Sequence, residues 1–343
     1  MRKKIVSIFQ YVLFLGAGIF LVWWQFTSMN AADKKEFYQS LSNTNYWLLV
    51  PVVVMSLLSH LSRAMRWKLI MEPLGYKPAL KNVFAVTMVG YFANSAIPRL
   101  GEVLKCSLLA KFEKLKIDKL FGTVLVERTF DFICYLIFIG ITVLLQIDLI
   151  GGYVLGKLRA MGSGEGMPIW LKISTVLALI FGIVFLLKWL VNKFPQNRII
   201  AKLSGFVSGI GAGFKTIRSM KKRRLFLLHT FFIWTMYLLQ VYIGFFAMEA
   251  TNGLSIFAAF SVLSLSTLAM IATPGGMGSF PVFVAQTLLI YGVATPQGKA
   301  FGWLLWGANT IIVVVIGLIA LLLLPYLNKH KESASTSPTN EAA

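Results

Sequence analysis

Residues 94–105 read Asn-Ser-Ala-Ile-Pro-Arg-Leu-Gly-Glu-Val-Leu-Lys, a helix-breaking and charge-bearing sequence inside an apolar stretch that runs from 82 to 112. Pro98 removes a backbone donor and Gly101 permits close backbone approach, so a helix entering here opens and exposes peptide groups without intrahelical partners. Unpaired backbone at membrane depth is tolerated only against protein or a wet cavity. The stretch is predicted to turn near Pro98 as a hairpin that dips into the membrane and returns, and the topology of everything after it depends on that reading.

The surrounding composition places the chain in lipid. Of 343 residues, 57% are hydrophobic and 13% charged, with a mean hydropathy of +0.74; a soluble domain carries about 25% charged residues. Apolar runs at 5–27, 46–62, 120–146, 169–191, 225–249 and 300–325 reach or approach the roughly 20 residues that an α-helix needs to cross the hydrocarbon core. Alternating strands of the barrel type are absent. The expected fold is therefore all-α: a polytopic integral membrane protein with six full spans and two re-entrant broken-helix hairpins, at 82–112 and 256–293. The first run follows Arg2, Lys3 and Lys4 but exceeds a signal-peptide core, and is expected to stay as an uncleaved helix. The net charge of +20 reflects basic residues flanking apolar runs, without the aromatic interleaving of a nucleic-acid surface, so no nucleic-acid partner is expected. Cys106 and Cys134 form no metal or disulfide pattern, and neither a metal nor another cofactor is expected.

Charge parity sets the orientation. Segment 192–224 holds nine Lys or Arg residues and no acid, which places it in the cytoplasm. A single crossing at 82–97 would invert every later loop and put that segment outside, so the stretch either crosses twice or re-enters on the cytoplasmic side. The same parity makes 256–293 a second hairpin, entered from outside, with both termini cytoplasmic at the inner membrane. The polar, Ser/Thr-rich residues 328–343 are expected to be a disordered cytoplasmic tail.

Laying Pro98 on Pro274, a shift of 176 residues, superposes Phe84, Val86, Ala93 and Ala96 on Phe260, Val262, Ala269 and Ala272. Each half, about 1–150 and 165–327, then holds three spans and one broken hairpin. An odd number of spans turns the second half over, giving an inverted repeat of the kind that places transporter sites at discontinuous helices near the midplane.

The chemistry concentrates at three places. Asn94, Pro98, Arg99, Gly101, Glu102 and Lys105 form the first break; a cytoplasmic loop with Arg99 reaching lipid phosphates is the alternative there. Glu127, Arg128 and Asp131 sit inside the run 120–146, and each such charge costs about 2.5–3.5 kcal/mol at a helix centre, so they are expected to have partners or a function. Glu127 and Asp131 share a helical face; they bind a cationic headgroup or coupling ion, hold Arg128 and Arg99 for a phosphate, or form a packing ion network. Pro274, Gly275, Gly276 and Gly278 make the second break. Arg63 and Arg66, one turn apart after the second run, are expected to anchor at the cytoplasmic surface, with phosphate capture as the alternative.

The order Asn-x3-Pro-Arg-x-Gly-Glu-x2-Lys from Asn94, Glu-Arg-x2-Asp from Glu127 and Pro-Gly-Gly-x-Gly from Pro274 resembles the lysylphosphatidylglycerol synthase transmembrane-region family over roughly 5–325. The resemblance implies a flippase-like membrane domain, here 1–327, which in larger fused members moves aminoacylated phosphatidylglycerol made by a separate cytoplasmic domain. Lys105 stands where the family often has Arg, and Pro281 lies near a position where an acid is usual. The short polar segment after the last run leaves no room for an aminoacyl-transfer domain, so a stand-alone form is expected.

The expectation is a non-enzymatic flippase or transporter of a phosphate-bearing lipid, a phospholipid with or without an aminoacyl group, with a separate lipid-modifying enzyme as a candidate partner. An integral-membrane transferase acting on a polyprenyl-phosphate or phospholipid, or a noncatalytic partner of a synthase, are the alternatives.

Overall fold

The computed structural model describes residues 2–159 and 220–333, with single positions at 174, 182 and 189. Regular structure among the described residues is entirely helical: α1 (Arg2–Thr27), α2 (Ala31–Ser42), α3 (Leu49–Met71), α4 (Leu80–Ala96), α5 (Leu100–Glu113), α6 (Ile117–Arg159), α7 (Arg223–Phe245), α8 (Ile256–Ala272), α9 (Ser279–Leu289) and α10 (Thr295–Ser333). Among the described residues four stretches are long and apolar enough to cross a membrane, Tyr46–Leu74, Ile117–Gln146, Arg223–Phe245 and Thr295–Lys329. They leave large apolar side chains such as Leu125, Phe231 and Leu322 exposed, an outer surface suited to lipid rather than water. Apart from those three positions, the run at 169–191 and most of the basic segment, 192–219, lie outside the described residues.

Both interrupted stretches are broken-helix hairpins. In the first, Glu113 at the end of α5 accepts hydrogen bonds from the Ala79 amide and from Asn82 Nδ2 at the start of α4, at 3.0 and 2.6 Å. At the other end Gly90 lies against Gly101, so α4 and α5 are antiparallel along their length. In the second, Ser261 meets Tyr291 at 2.8 Å and the Ser279 hydroxyl donates to the Ala269 carbonyl at 2.7 Å. The two breaks have one cause. Ile97 and Thr273, each preceding a proline, end α4 and α8 in extended conformations of φ −131°, ψ 111° and φ −136°, ψ 158°, since proline bars its predecessor from the helical region.

The repeat is visible in the element boundaries. A shift of 176 residues carries Leu80–Ala96 onto Ile256–Ala272, and brings the end of α5, Glu113, onto the end of α9, Leu289. It also carries the starts of α3 and α6 to within two residues of the starts of α7 and α10. The halves are inverted because equivalent helices run oppositely. On α3 and α7, Arg66 bonds Thr230 while the earlier Arg63 bonds the later Tyr237. The halves also interlock reciprocally: α4 packs on α10 and α8 on α6. Asn82 and Asn328 exchange hydrogen bonds of 2.8 and 3.0 Å across the first contact, and Gln146 donates to the Phe257 carbonyl at 2.6 Å across the second.

Two expectations need correction. The second span does not stop at 62: α3 continues to Met71 and takes His60, Arg63 and Arg66 with it. Nor does the polar tail begin at Asn328. Helix α10 runs to Ser333, and Asn328 is buried because its amide completes the pair with Asn82.

Outside the repeat, α1 lies along the second hairpin. Gln25 is buried and donates to the Gly278 carbonyl at 2.7 Å, and Phe26 stands 6.1 Å from Trp303 near the start of α10. The end of α1 thus lies beside the beginning of α10, so the two helices run in opposite directions.

A candidate intramembrane anion site

The hairpins enter from opposite ends of the bundle and meet tip to tip. A Cβ placed on Gly275 would stand 3.3 Å from Ser95 Cα, and Trp306 Nε1 donates to the Gly275 carbonyl at 2.8 Å. Each tip needs a left-handed residue. Gly275 has φ 58°, and its equivalent under the 176-residue shift is Arg99, with φ 69°. A bulky side chain in that region costs on the order of 1–3 kcal/mol, which glycine avoids. Arg99 is exposed at the tip.

Behind the first tip the backbone of Gly101 is pressed so close to Gly90 that a Cβ would lie 1.9 Å from the Gly90 carbonyl oxygen. Asn94 closes the turn: its Oδ1 accepts from the Gly101 amide at 2.8 Å, and its Nδ2 donates to Glu102 Oε1 at 3.3 Å. Glu102 Oε1 also takes Arg128 Nη2 at 3.0 Å.

Deeper in, α3, α5 and α6 place charge against charge. Asp131 is gripped by Arg63 and Arg66, the latter at 2.5 Å. Arg66 is fully buried and also reaches Glu127 Oε1 at 3.7 Å and Thr230 Oγ1 at 3.3 Å. Lys105 Nζ bonds Glu127 Oε2 at 2.8 Å and lies 3.8 Å above the Trp67 ring. The spacing Arg63, Arg66 on one helix and Glu127, Asp131 on the next makes this possible, because i, i+3 and i, i+4 positions project to one side. Taken singly, such charges would be costly in lipid; paired, they offset one another.

The network is not closed. Four cations, Arg63, Arg66, Lys105 and Arg128, face three carboxylates, Glu102, Glu127 and Asp131. Among the described residues the buried Nε atoms of Arg63, Arg66 and Arg128, together with Glu102 Oε2 and His60 Nδ1, have no hydrogen-bond partner. Buried polar atoms normally find partners, so unmet donors next to a helix break make this a candidate place for an anion.

Of the residues expected from sequence, Asn94, Gly101, Glu102, Lys105, Glu127, Arg128 and Asp131 come together, while Arg99 stands apart on the exposed tip. Pro98 and Pro274 set the two breaks. Arg63 and Arg66, expected at the surface, are the partners that Asp131 actually has. The signal for them was present: two bases one turn apart in one helix answer two acids one turn apart in another. Gly275, Gly276 and Gly278 all have positive φ, at 58°, 74° and 73°. The second tip is held by hydroxyls rather than charges, Thr273 and Ser279 lying 2.7 Å apart. No group of His, Cys, Asp and Glu able to hold a metal occurs among the described residues.

Fold and site together define a multi-pass α-helical membrane protein, an inverted repeat whose two broken hairpins meet beside an internal ion network. A family model described as the lysylphosphatidylglycerol synthase TM region matches residues 7–332, and the chain belongs to that family. UPF0104 membrane protein MJ1595 of Methanocaldococcus jannaschii is 21% identical over 310 residues, which cover 83% of this chain and 87% of its own length. No solved structure matches the chain.

Proposed function

We propose that the chain is a transporter rather than an enzyme, and that it carries a phosphate-bearing lipid across the inner membrane by alternating access between its two halves. The observation that supports this best is the meeting of the hairpin tips, Ser95 against Gly275, beside a cationic network with unmet donors. Alternating access needs two halves able to exchange roles around a fixed site, which an inverted repeat supplies. Arg99 meets the phosphate at the tip, and Arg128, half exposed at 41%, receives it from there. Glu127 and Asp131 hold the deeper cations in place. The basic segment 192–224 supports a cytoplasmic position for both termini, and a separate lipid-modifying enzyme is a natural supplier of the cargo.

The test is leaflet-resolved movement of acyl-labelled fluorescent phospholipids and polyprenyl phosphates in proteoliposomes. Wild type is compared with Arg99→Ala and Asp131→Asn variants of verified folding. Lipid movement lost in both supports the reading. Chemically altered lipid with no movement would replace it with a transferase.

A further inference from the structure

We infer that the headgroup carried by this site is a hydroxyl-bearing phosphate with a net negative charge and no amine. The inference rests on the translocation reading above and specifies its cargo.

Each oxygen of Glu127 and Asp131 already faces a cation of the protein: Arg66 at 3.7 Å and Lys105 at 2.8 Å on Glu127, Arg63 and Arg66 on Asp131. These two carboxylates, the obvious receptors for an ammonium group, already have their charge offset by cations of the protein. The third, Glu102, gives Oε1 to Arg128 and Asn94 and keeps Oε2 buried without a partner. On the ionised groups, the open positions are thus three guanidinium donors and one carboxylate acceptor, in a cluster carrying one surplus positive charge before Arg99 is added.

A phosphodiester supplies acceptors for the donors and neutralises the surplus. One donor is still needed for Glu102 Oε2, and a hydroxyl provides it without adding charge. An ammonium would provide it too, but would restore the surplus, and an aminoacylated headgroup with two ammonium groups would add repulsion to it. Specificity against such groups arises from the unpaired positive charge they would leave beside the buried guanidinium donors. Phosphatidylglycerol has the required chemistry; phosphatidylethanolamine and lysyl-phosphatidylglycerol do not.

The experiment compares acyl-labelled phosphatidylglycerol, phosphatidylethanolamine and lysyl-phosphatidylglycerol in proteoliposomes of one fixed carrier composition containing the full chain. The expected result is movement of phosphatidylglycerol at least about tenfold faster than either amine-bearing lipid. In Glu102→Gln, the preference for phosphatidylglycerol over phosphatidate, which lacks the hydroxyl, is expected to fall several-fold. Equal or faster movement of either amine-bearing lipid would overturn the inference while leaving translocation standing. Movement of no probe would overturn the translocation reading itself, and the inference with it. Uptake of radiolabelled glycerol phosphate would show that the polyol phosphate is taken as a soluble molecule, and would overturn the lipid assignment.

Discussion

Asp131 holds two arginines at once, so its neutralisation does more than remove one charge. Asp131→Asn leaves Arg63 and the fully buried Arg66 short of their main partner, and breaking a buried pair from one side costs about 3–5 kcal/mol. Chemical unfolding in detergent is expected to show a loss of that order. Replacing Lys105 and Glu127 together by methionine removes both members of a pair, so the double variant should recover most of the stability that Glu127→Met alone loses, while lipid movement stays abolished. A double variant as unstable as the single would show that Glu127 acts chiefly through Arg66. These acids were legible in the sequence because a charge inside an apolar run demands a partner. Their true partners, Arg63 and Arg66, left a signal that hydropathy masked. Hydropathy falls where Arg63 and Arg66 begin, and a span drawn by hydropathy ends there, although the helix continues because its charges are answered from α6.

The two hairpins differ in what sits at the left-handed position of the tip, arginine in one and glycine in the other. Arg99→Gly should relieve backbone strain and raise stability by about 1 kcal/mol, yet lower lipid movement because the guanidinium at the tip is gone. Unchanged movement would remove Arg99 from the site. Gly101→Ala should do the opposite of relief: with a carbonyl oxygen 1.9 Å from the new Cβ, α4 and α5 must separate, and thermal stability in detergent should drop sharply. Truncation before Asn328 breaks the buried amide pair with Asn82 and should cost about 1–3 kcal/mol. The hairpins were readable from Pro98 and Pro274, since proline acts locally. The extent of α10 was not, because a polar residue such as Asn328 looks like a tail until the amide across from it is known.

The inverted repeat was legible from an alignment on two prolines, and the structure bears it out through boundaries that share one shift and through the opposed directions of α3 and α7. What the sequence could not supply was the contact between the halves, which depends on how the two hairpin tips approach in space. That contact is where the account is most exposed. A lipid headgroup passing between the halves requires Ser95 and Gly275 to part. In a chain with Cys106 and Cys134 replaced, Ser95→Cys and Gly275→Cys would create a cross-linkable pair, because the Gly275 Cβ position lies 3.6 Å from Ser95 Cβ, inside the range of about 3.5–4.5 Å that a disulfide needs. The left-handed backbone at 275 adds a cost of about 1–2 kcal/mol that the bond must overcome. The measurement is lipid movement in proteoliposomes before oxidation, after it and after reduction. The account predicts that oxidation stops movement and that reduction restores it; movement continuing undiminished through verified cross-linked protein would contradict it.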